Sequence, residues 1–521
     1  MRLRSAVGTA SILTLLVLGL AGVAGLRGAL AVRGEPRAAS PASRATGEPT
    51  AAGTPATVDV RSVMGEWSAA FPWPVVAIHQ HLLPNGKVLS WSDGPAVVWN
   101  PADGSFTPIA NTSTNLFCTG HSHLADGRLF VAGGHISDRF GSEDTNLFDP
   151  VTQTWTSGPR MTGGRWYPTN TTLANGDVLV VGGSPTNTSM NKLPQIYQPA
   201  SGTFRNLTSA IRSPGSLYPY MFLAPNGKVF RAAPVAKSRF LTTTGTGKWE
   251  ASATSHSGDR NYGTAVLYDV GKVLIAGGGG NKAGGPAPTN TAEVIDLNAA
   301  NPAWRVTNPM NYRRRQLNST LLPDGKVLVT GGTSWPGFNN AKGSVFAAEM
   351  WDPATEHWTI MASMHVRRQY HSTALLLPDG RVLSAGGGRP AASGLKPPDQ
   401  DHLDAELYSP PYLFNSDGTL AARPLIDDAP ADVGYGETFF VQTPDAGQII
   451  KVTWLRLGSV THDFNQDQRI NRLTFSIAPG LPAGLNVTAP SNANLAPPGH
   501  YLLFLVNGNG VPSVARIVQI G

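Results

Sequence analysis

A single cysteine in 521 residues leaves nothing for an intramolecular disulfide to join. Cys118 is therefore a buried apolar residue, a reactive thiol, or a side chain consumed in another covalent bond; the first is the usual fate of a lone cysteine. Charge is scarce as well. Asp, Glu, Lys and Arg make up 14% of the chain, which excludes an architecture of long solvated helices. The formal net charge of +6 is no nucleic-acid footprint either. Residues 1–50 hold Arg2, Arg4, Arg27, Arg33, Arg37 and Arg44 against Glu35 and Glu48, a surplus of four, leaving +2 for the body.

One long run lacks charge altogether, Ser5–Leu26, behind the two arginines of Met1–Arg4. It has the character of an export signal, and its length suits either a cleaved signal or a retained single anchor. Ala29-Leu30-Ala31 offers small residues for cleavage. Residues 1–31 are accordingly assigned as signal peptide or membrane anchor, and 32–56, rich in Ala, Pro, Thr and Arg, as a disordered linker. The expected location is secreted, or anchored on the outer face of the cytoplasmic membrane.

What the chain has in abundance is glycine (58) and proline (42), the composition of many turns between short strands. Seven segments repeat one pattern: LLPNGKVLSW (82–91), LADGRLFVAGG (124–134), LANGDVLVVGG (173–183), LAPNGKVFRAAP (223–234), YDVGKVLIAGG (268–278), LLPDGKVLVTGG (321–332) and LLPDGRVLSAGG (376–387). Asn-Gly or Asp-Gly between apolar runs signals a hairpin, because the turn needs positive φ. The turn glycines are Gly86, Gly127, Gly176, Gly227, Gly271, Gly325 and Gly380, at intervals of 41 to 55 residues, which suits one four-stranded sheet per repeat. With FDPVTQTW (148–155), YQPASGTF (197–204) and WDPATEHW (351–358), these features predict an all-β fold. Its main part, 57–418, is expected to be a seven-bladed kelch-type β-propeller. Past it the pattern changes to alternating segments such as ETFFVQT (437–443) and IIKVTWLRL (449–457), predicting an immunoglobulin-like β-sandwich over 419–521.

Candidate chemistry falls just ahead of the turns. RRQYHS (367–372) sets Tyr370 beside His371, oxygen and nitrogen donors that suit copper. Neighbours on a strand point to opposite faces, so joint ligation requires a bulge there. NLFCTGHSHLADG (115–127) holds Cys118, and GGRWYPTNTTLANG (163–176) holds Tyr167. Equivalent positions of different blades lie at one end of a propeller, around its axis. GSVTHDFNQDQR (458–469) brings His462 if a hairpin of the second domain reaches in. The pairs His79/His81 and His121/His123 are read mainly as packing residues or as supports behind a site's ligands, with metal binding the minority reading.

These motifs, with LYPYMFLAPNGKVF (217–230) and PPGHYLLFLVNGNGVPS (497–513), resemble the copper-radical oxidases, galactose oxidase and glyoxal oxidase, from about residue 57 to the C-terminus. RWYPT and LYPYMF are closer to glyoxal oxidase-like bacterial and plant members. The resemblance implies one copper per chain, with Tyr370 axial and Tyr167, His371 and His462 equatorial. It also implies a thioether joining Cys118 to Tyr167, a tyrosyl-radical cofactor, with Tyr370 as general base. Galactose oxidase has a Trp shortly after its Gly-Gly pair, stacked over the thioether; here Gly182–Gly183 is followed by Ser184-Pro185. Trp166 and Trp335 are the candidate pocket aromatics instead. The activity implied is oxidation of small aldehydes or α-hydroxycarbonyls by O2, giving acids and H2O2. A primary-alcohol or sugar oxidase is the alternative within the family, and a non-catalytic wall- or carbohydrate-binding propeller the alternative outside it. Expected partners are the small substrate and O2, with no nucleic acid and a monomeric state.

Overall fold

The structure is a computed structural model that describes residues 58–110, 114–280, 282, 284–388 and 401–521. The expected signal or anchor (1–31) and linker (32–56) lie outside the described residues. No helix among the described residues is long and apolar enough to cross a membrane.

The fold is all-β. Among the described residues, one short helix, Arg61–Met64, and four 3-10 turns accompany many small antiparallel sheets. Each repeat begins with a hairpin, and its turn glycine sits at φ between +71° and +93°, a region closed to most side chains. The strands of the third repeat show the organisation. Trp166–Thr172 pairs with Val178–Ser184, that with Gln195–Gln198, and that with Thr203–Asn206. The first two strands are buried along their whole length and the outermost is largely exposed. Hydrophobicity therefore falls from the inner to the outer edge of a sheet, and the near-continuous apolar run after each turn is an inner strand covered on both faces.

First strands of neighbouring sheets pack side by side, as Gly120–His123 does with Trp166–Thr172, and Arg315–Leu321 with both Thr264–Asp269 and Ser372–Leu376. The last repeat supplies three strands of its sheet, Ser372–Leu376, Val382–Gly386 and Asp404–Ser409. Its outer edge comes from the front of the chain, where Glu66–Trp67 pairs with Ser409 and Tyr408.

Residues beyond 431 build two further sheets. One contains Ile449–Arg456, Ile470–Leu473, Gly499–Asn507 and Arg516–Ile520; the other Thr438–Gln442, Phe475–Ile477 and Gly484–Thr488. Phe439, Val441, Leu485 and Val487 of the second share a core with Val452, Trp454, Leu503, Leu505 and Val518 of the first. Each such fully buried Val or Leu contributes about 1.5–3 kcal/mol.

One hairpin leaves this region. Ser459–Thr461 pairs with Phe464–Asn465 and with His79–His81 of the first repeat. It also touches Gly120–His123, Thr264–Asp269, Arg315–Leu321 and Ser372–Leu376, the inner strands of four other repeats. Every residue from Ser459 to Ile470 is buried.

Candidate metal centre

Six repeats carry a non-glycine residue with positive φ at one shared position. Cys118, Tyr167, Tyr218, Tyr262, Gln316 and His371 have φ of 63°, 67°, 42°, 55°, 57° and 67°. Each stands nine residues before the turn glycine of its own repeat, Gly127, Gly176, Gly227, Gly271, Gly325 and Gly380. Such a conformation costs about 1–3 kcal/mol and persists only where surroundings fix it. Here neighbouring repeats do the fixing: Tyr167 N–H donates to Cys118 O (2.9 Å), Tyr218 N–H to Tyr167 O (3.0 Å) and Gln316 N–H to Tyr262 O (2.7 Å). The twist belongs to the fold, since Gln316 shares it, and it aims several of these side chains toward one region.

The last repeat departs from its neighbours by one residue. Arg165, Arg260 and Arg314 each donate to a glycine carbonyl 17 residues on, Gly182, Gly277 and Gly331. Arg368 donates to Gly386, 18 residues on. The residue two places after the arginine is Tyr167, Tyr262 or Gln316 in the first three, and Tyr370 in the last. His371 then takes the twisted position. One extra residue thus puts two consecutive side chains into the same site, the irregularity that joint use of Tyr370 and His371 requires.

The four side chains meet. Tyr167 Oη hydrogen-bonds Tyr370 Oη and lies 2.9 Å from His462 Nε2. The His371 ring stacks on Tyr370, centroids 3.7 Å apart, and meets His462 edge-on at 4.6 Å. His462 Nδ1 is 2.6 Å from Thr461 Oγ1, a bond that fixes the ring's orientation. Burial pushes the Tyr167 phenol well above its ordinary range. Burial, and then His371 and His79, hold His462 neutral, with a lone pair available. Cys118 packs with Trp166, Tyr167 and Tyr218 in one buried cluster. Among the described residues no group of three or more His, Cys, Asp and Glu is arranged to hold a metal ion; the converging set here owes half its donors to phenols.

A cavity of about 450 Å³ opens on Tyr167, Tyr370 and His371, with Phe117, Trp166 and Phe338 among its walls and Asp93, His135, Asp138 and Arg139 adding charge and polarity. Trp166 stacks on Tyr167, centroids 3.8 Å apart at 12°, and donates its indole N–H to His135 Nδ1 (3.2 Å). Trp335 does not line this cavity. It is 52% exposed and borders a separate depression with Tyr312 and Pro336. The loop's contribution is Phe338, whose ring lies 4.2 Å from Tyr370. Sequence reasoning chose the larger aromatic and missed Phe338; it also missed Tyr218 and Tyr262, although the nine-residue offset marks both. Tyr218 covers the other face of Tyr167 at 4.6 Å, and Tyr262 meets Tyr370 edge-on at 5.8 Å.

The two His-x-His pairs form a hydrogen-bonded ladder. Cys118 N–H donates to His79 Nε2 (3.1 Å), so His79 carries its proton on Nδ1 and donates to His121 Nε2 (3.0 Å). His121 Nδ1–H then donates to Ser459 Oγ (2.7 Å). His79 and His81 stack on Trp91 at 4.9 and 4.6 Å, and His123 pairs with Asp467 at 3.0 Å. The packing reading holds for them.

An all-β scaffold gathering two phenols and two imidazoles at a lined cavity has the makings of an oxidoreductase. The family described as Glyoxal oxidase N-terminus matches residues 92–412, and Galactose oxidase-like, Early set domain matches 423–520. The chain is 30% identical over 495 residues to galactose oxidase of Gibberella zeae, covering 88% of this chain and 71% of that protein. It is 30% identical to the aldehyde oxidase GLOX of Vitis pseudoreticulata, covering 78% and 82%. A solved fungal alcohol oxidase in complex with copper aligns at a TM-score of 0.79 and 29% identity, over 88% of this chain and 99% of that one. The chain belongs to the copper-radical oxidases, the family of galactose oxidase and glyoxal oxidase.

Proposed function

We propose that this protein is a glyoxal oxidase-like enzyme that oxidises small aldehydes or α-hydroxycarbonyls with O2, releasing H2O2. The observation that carries the reading is the convergence of Tyr167 Oη, Tyr370 Oη and His462 Nε2 with the His371 ring stacked alongside. Two imidazoles and two phenols are a donor set suited to Cu(II). Tyr167, Tyr370, His371 and His462 would hold one copper per chain. When bound, copper supplies one oxidising equivalent and a Lewis-acid position for the substrate oxygen.

The remaining work falls to the chain. Aldehydes react as their hydrates, which supply a hydroxyl group and the second oxygen of the acid, and Tyr370 Oη takes that hydroxyl's proton as general base. Cys118 and Tyr167 would form the thioether-linked radical group, whose chemistry would be removal of a hydrogen atom from the adjoining carbon. Trp166 and Tyr218 cover the two faces of the Tyr167 ring and keep water from it. In architectural terms we read the seven sheets as a kelch-type propeller over 57–418, carrying a sandwich domain over 419–521. The likeness to a fungal alcohol oxidase favours a second substrate reading, a primary alcohol. An extracytoplasmic site, secreted or anchored through residues 1–31, fits the charge-free run Ser5–Leu26.

The test is copper titration of the purified protein followed by mild oxidation, watched for a radical absorption band. Peroxide release is then compared across glyoxal-type aldehydes, glycolaldehyde, simple alcohols and galactose. Aldehydes are expected to be fastest. Galactose as the best substrate would overturn the substrate class, and absence of copper binding the whole reading.

A further inference from the structure

Tyr167 separates two cavities. On the Trp166 side lies the 450 Å³ cavity already described; on the Tyr218 side lies a second, of about 260 Å³. They share only Tyr167, Leu217 and Tyr262. The second is lined by His462, Tyr220 and Pro234, and by Met190 and Gly215, which are part-exposed and exposed.

The two differ in chemistry. Asp93, Asp138 and Arg139 stand on the wall of the first, whereas the second has no Asp, Glu, Lys or Arg among its lining residues. Four tyrosine rings, Leu217, Met190 and Pro234 give it much of its surface. A hydrated, polar organic substrate gains from hydrogen-bonding partners and loses by entering such a space. A small apolar gas has no hydration to lose, and apolar cavities of this order take up xenon readily.

We propose that the second cavity is the entry path for dioxygen, so that the two substrates approach Tyr167 by separate routes. This rests on the oxidase reading above and concerns passage only. The two electrons and two protons that turn O2 into H2O2 come from the organic substrate, as in that reading. Separate entry would let O2 approach while the first cavity still holds organic substrate or product. Tyr167, Leu217 and Tyr262, common to both walls, are the partition, and Met190 stands with Gly215 at the exposed rim.

Xenon serves as the probe for occupancy. Crystals of the full protein under xenon pressure are expected to show it beside Leu217, Tyr218 and Tyr220. Met190→Trp, at the part-exposed rim of the cavity, is expected to exclude xenon. In copper-loaded enzyme it should lower kcat/KM for O2 about five-fold or more, with kcat/KM for the organic substrate at saturating O2 unchanged. Met190→Ala, which widens the mouth, is expected to retain xenon and wild-type kcat/KM for O2. Xenon missing from the wild-type cavity would overturn the proposal. So would equal loss for both substrates, or exclusion of xenon with no effect on O2. Failure of the oxidase reading has a different signature: xenon bound in the cavity while the copper-loaded wild type consumes no O2.

Discussion

Two groups of buried histidines lie within one ring contact of each other, and they have opposite fates. His79 and His121 spend both ring nitrogens on protein groups, in a relay whose polarity is set by the Cys118 N–H. His371 and His462 sit against phenols instead, and the His462 ring is 6.0 Å from that of His79. Residue type and burial do not distinguish the groups. What distinguishes them is the twisted backbone: His371 and His462 have positive φ, whereas His79, His81, His121 and His123 lie on regular strands. Regular strands aim side chains at the neighbouring sheet; a twist ahead of the strand aims them at the centre.

The comparison breaks most clearly at His462. His462→Ala is expected to weaken copper binding by more than about 100-fold, beyond what loss of an outer hydrogen-bond partner costs, and to abolish peroxide release. His121→Gln should leave copper affinity within about ten-fold of wild type on the same reasoning. Titration of both variants with a copper-competing chelator reads the difference; equal losses would mean the groups are one functional unit. Tyr370→Phe comes next, with turnover down about 10²–10⁴-fold if its hydroxyl is the base, and copper still bound. Stopped-flow peroxide assays measure it.

The ladder side is a matter of stability. Truncating His121 strands His79 Nδ1 in the interior, while Ser459 Oγ keeps His81 Nδ1 and the His121 carbonyl; the cost is about 1–3 kcal/mol, measured by denaturant unfolding. Acid should expose the same dependence. Burial lowers His121 to about 3, against 6.5 when unfolded, so the unfolded chain binds more protons between those values. Its contribution is complete above pH 6.5 and is lost as pH falls toward 3, by up to about 1.4 kcal/mol per unit. Unfolding curves between pH 7 and 4 should steepen in the wild type relative to His121→Gln. The smallest effect belongs to the aromatic loop. Phe338→Ala should raise KM by about 10-fold through lost contact with substrate, and Trp335→Ala should leave it near wild type. Steady-state kinetics on one aldehyde decides, and the reverse order would restore Trp335 to the pocket.

Much of this was legible in sequence because repeats convert sequence position into spatial position. The seven turn glycines locate seven hairpins, and the residues nine places ahead of six of them are those with the twist. Tyr370–His371 needed a bulge, and the one-residue excess before Gly386 supplies it. Trp335 was misplaced because a loop's aromatic content says nothing about which ring turns inward. The tautomer order of the ladder was equally hidden, since it follows from a backbone N–H two strands away. His462 lies outside the repeats, and only the motif around it marked it.

The hairpin that carries His462 also sets an order of events. Three of the four converging side chains are present once residue 371 has been made, but the fourth arrives some ninety positions later, from a region with a core of its own. A nascent chain, or one truncated before Ser459, holds an incomplete set of donors. The four side chains therefore converge only in a molecule whose residues beyond 431 have folded and whose hairpin is seated against the inner strands of the repeats.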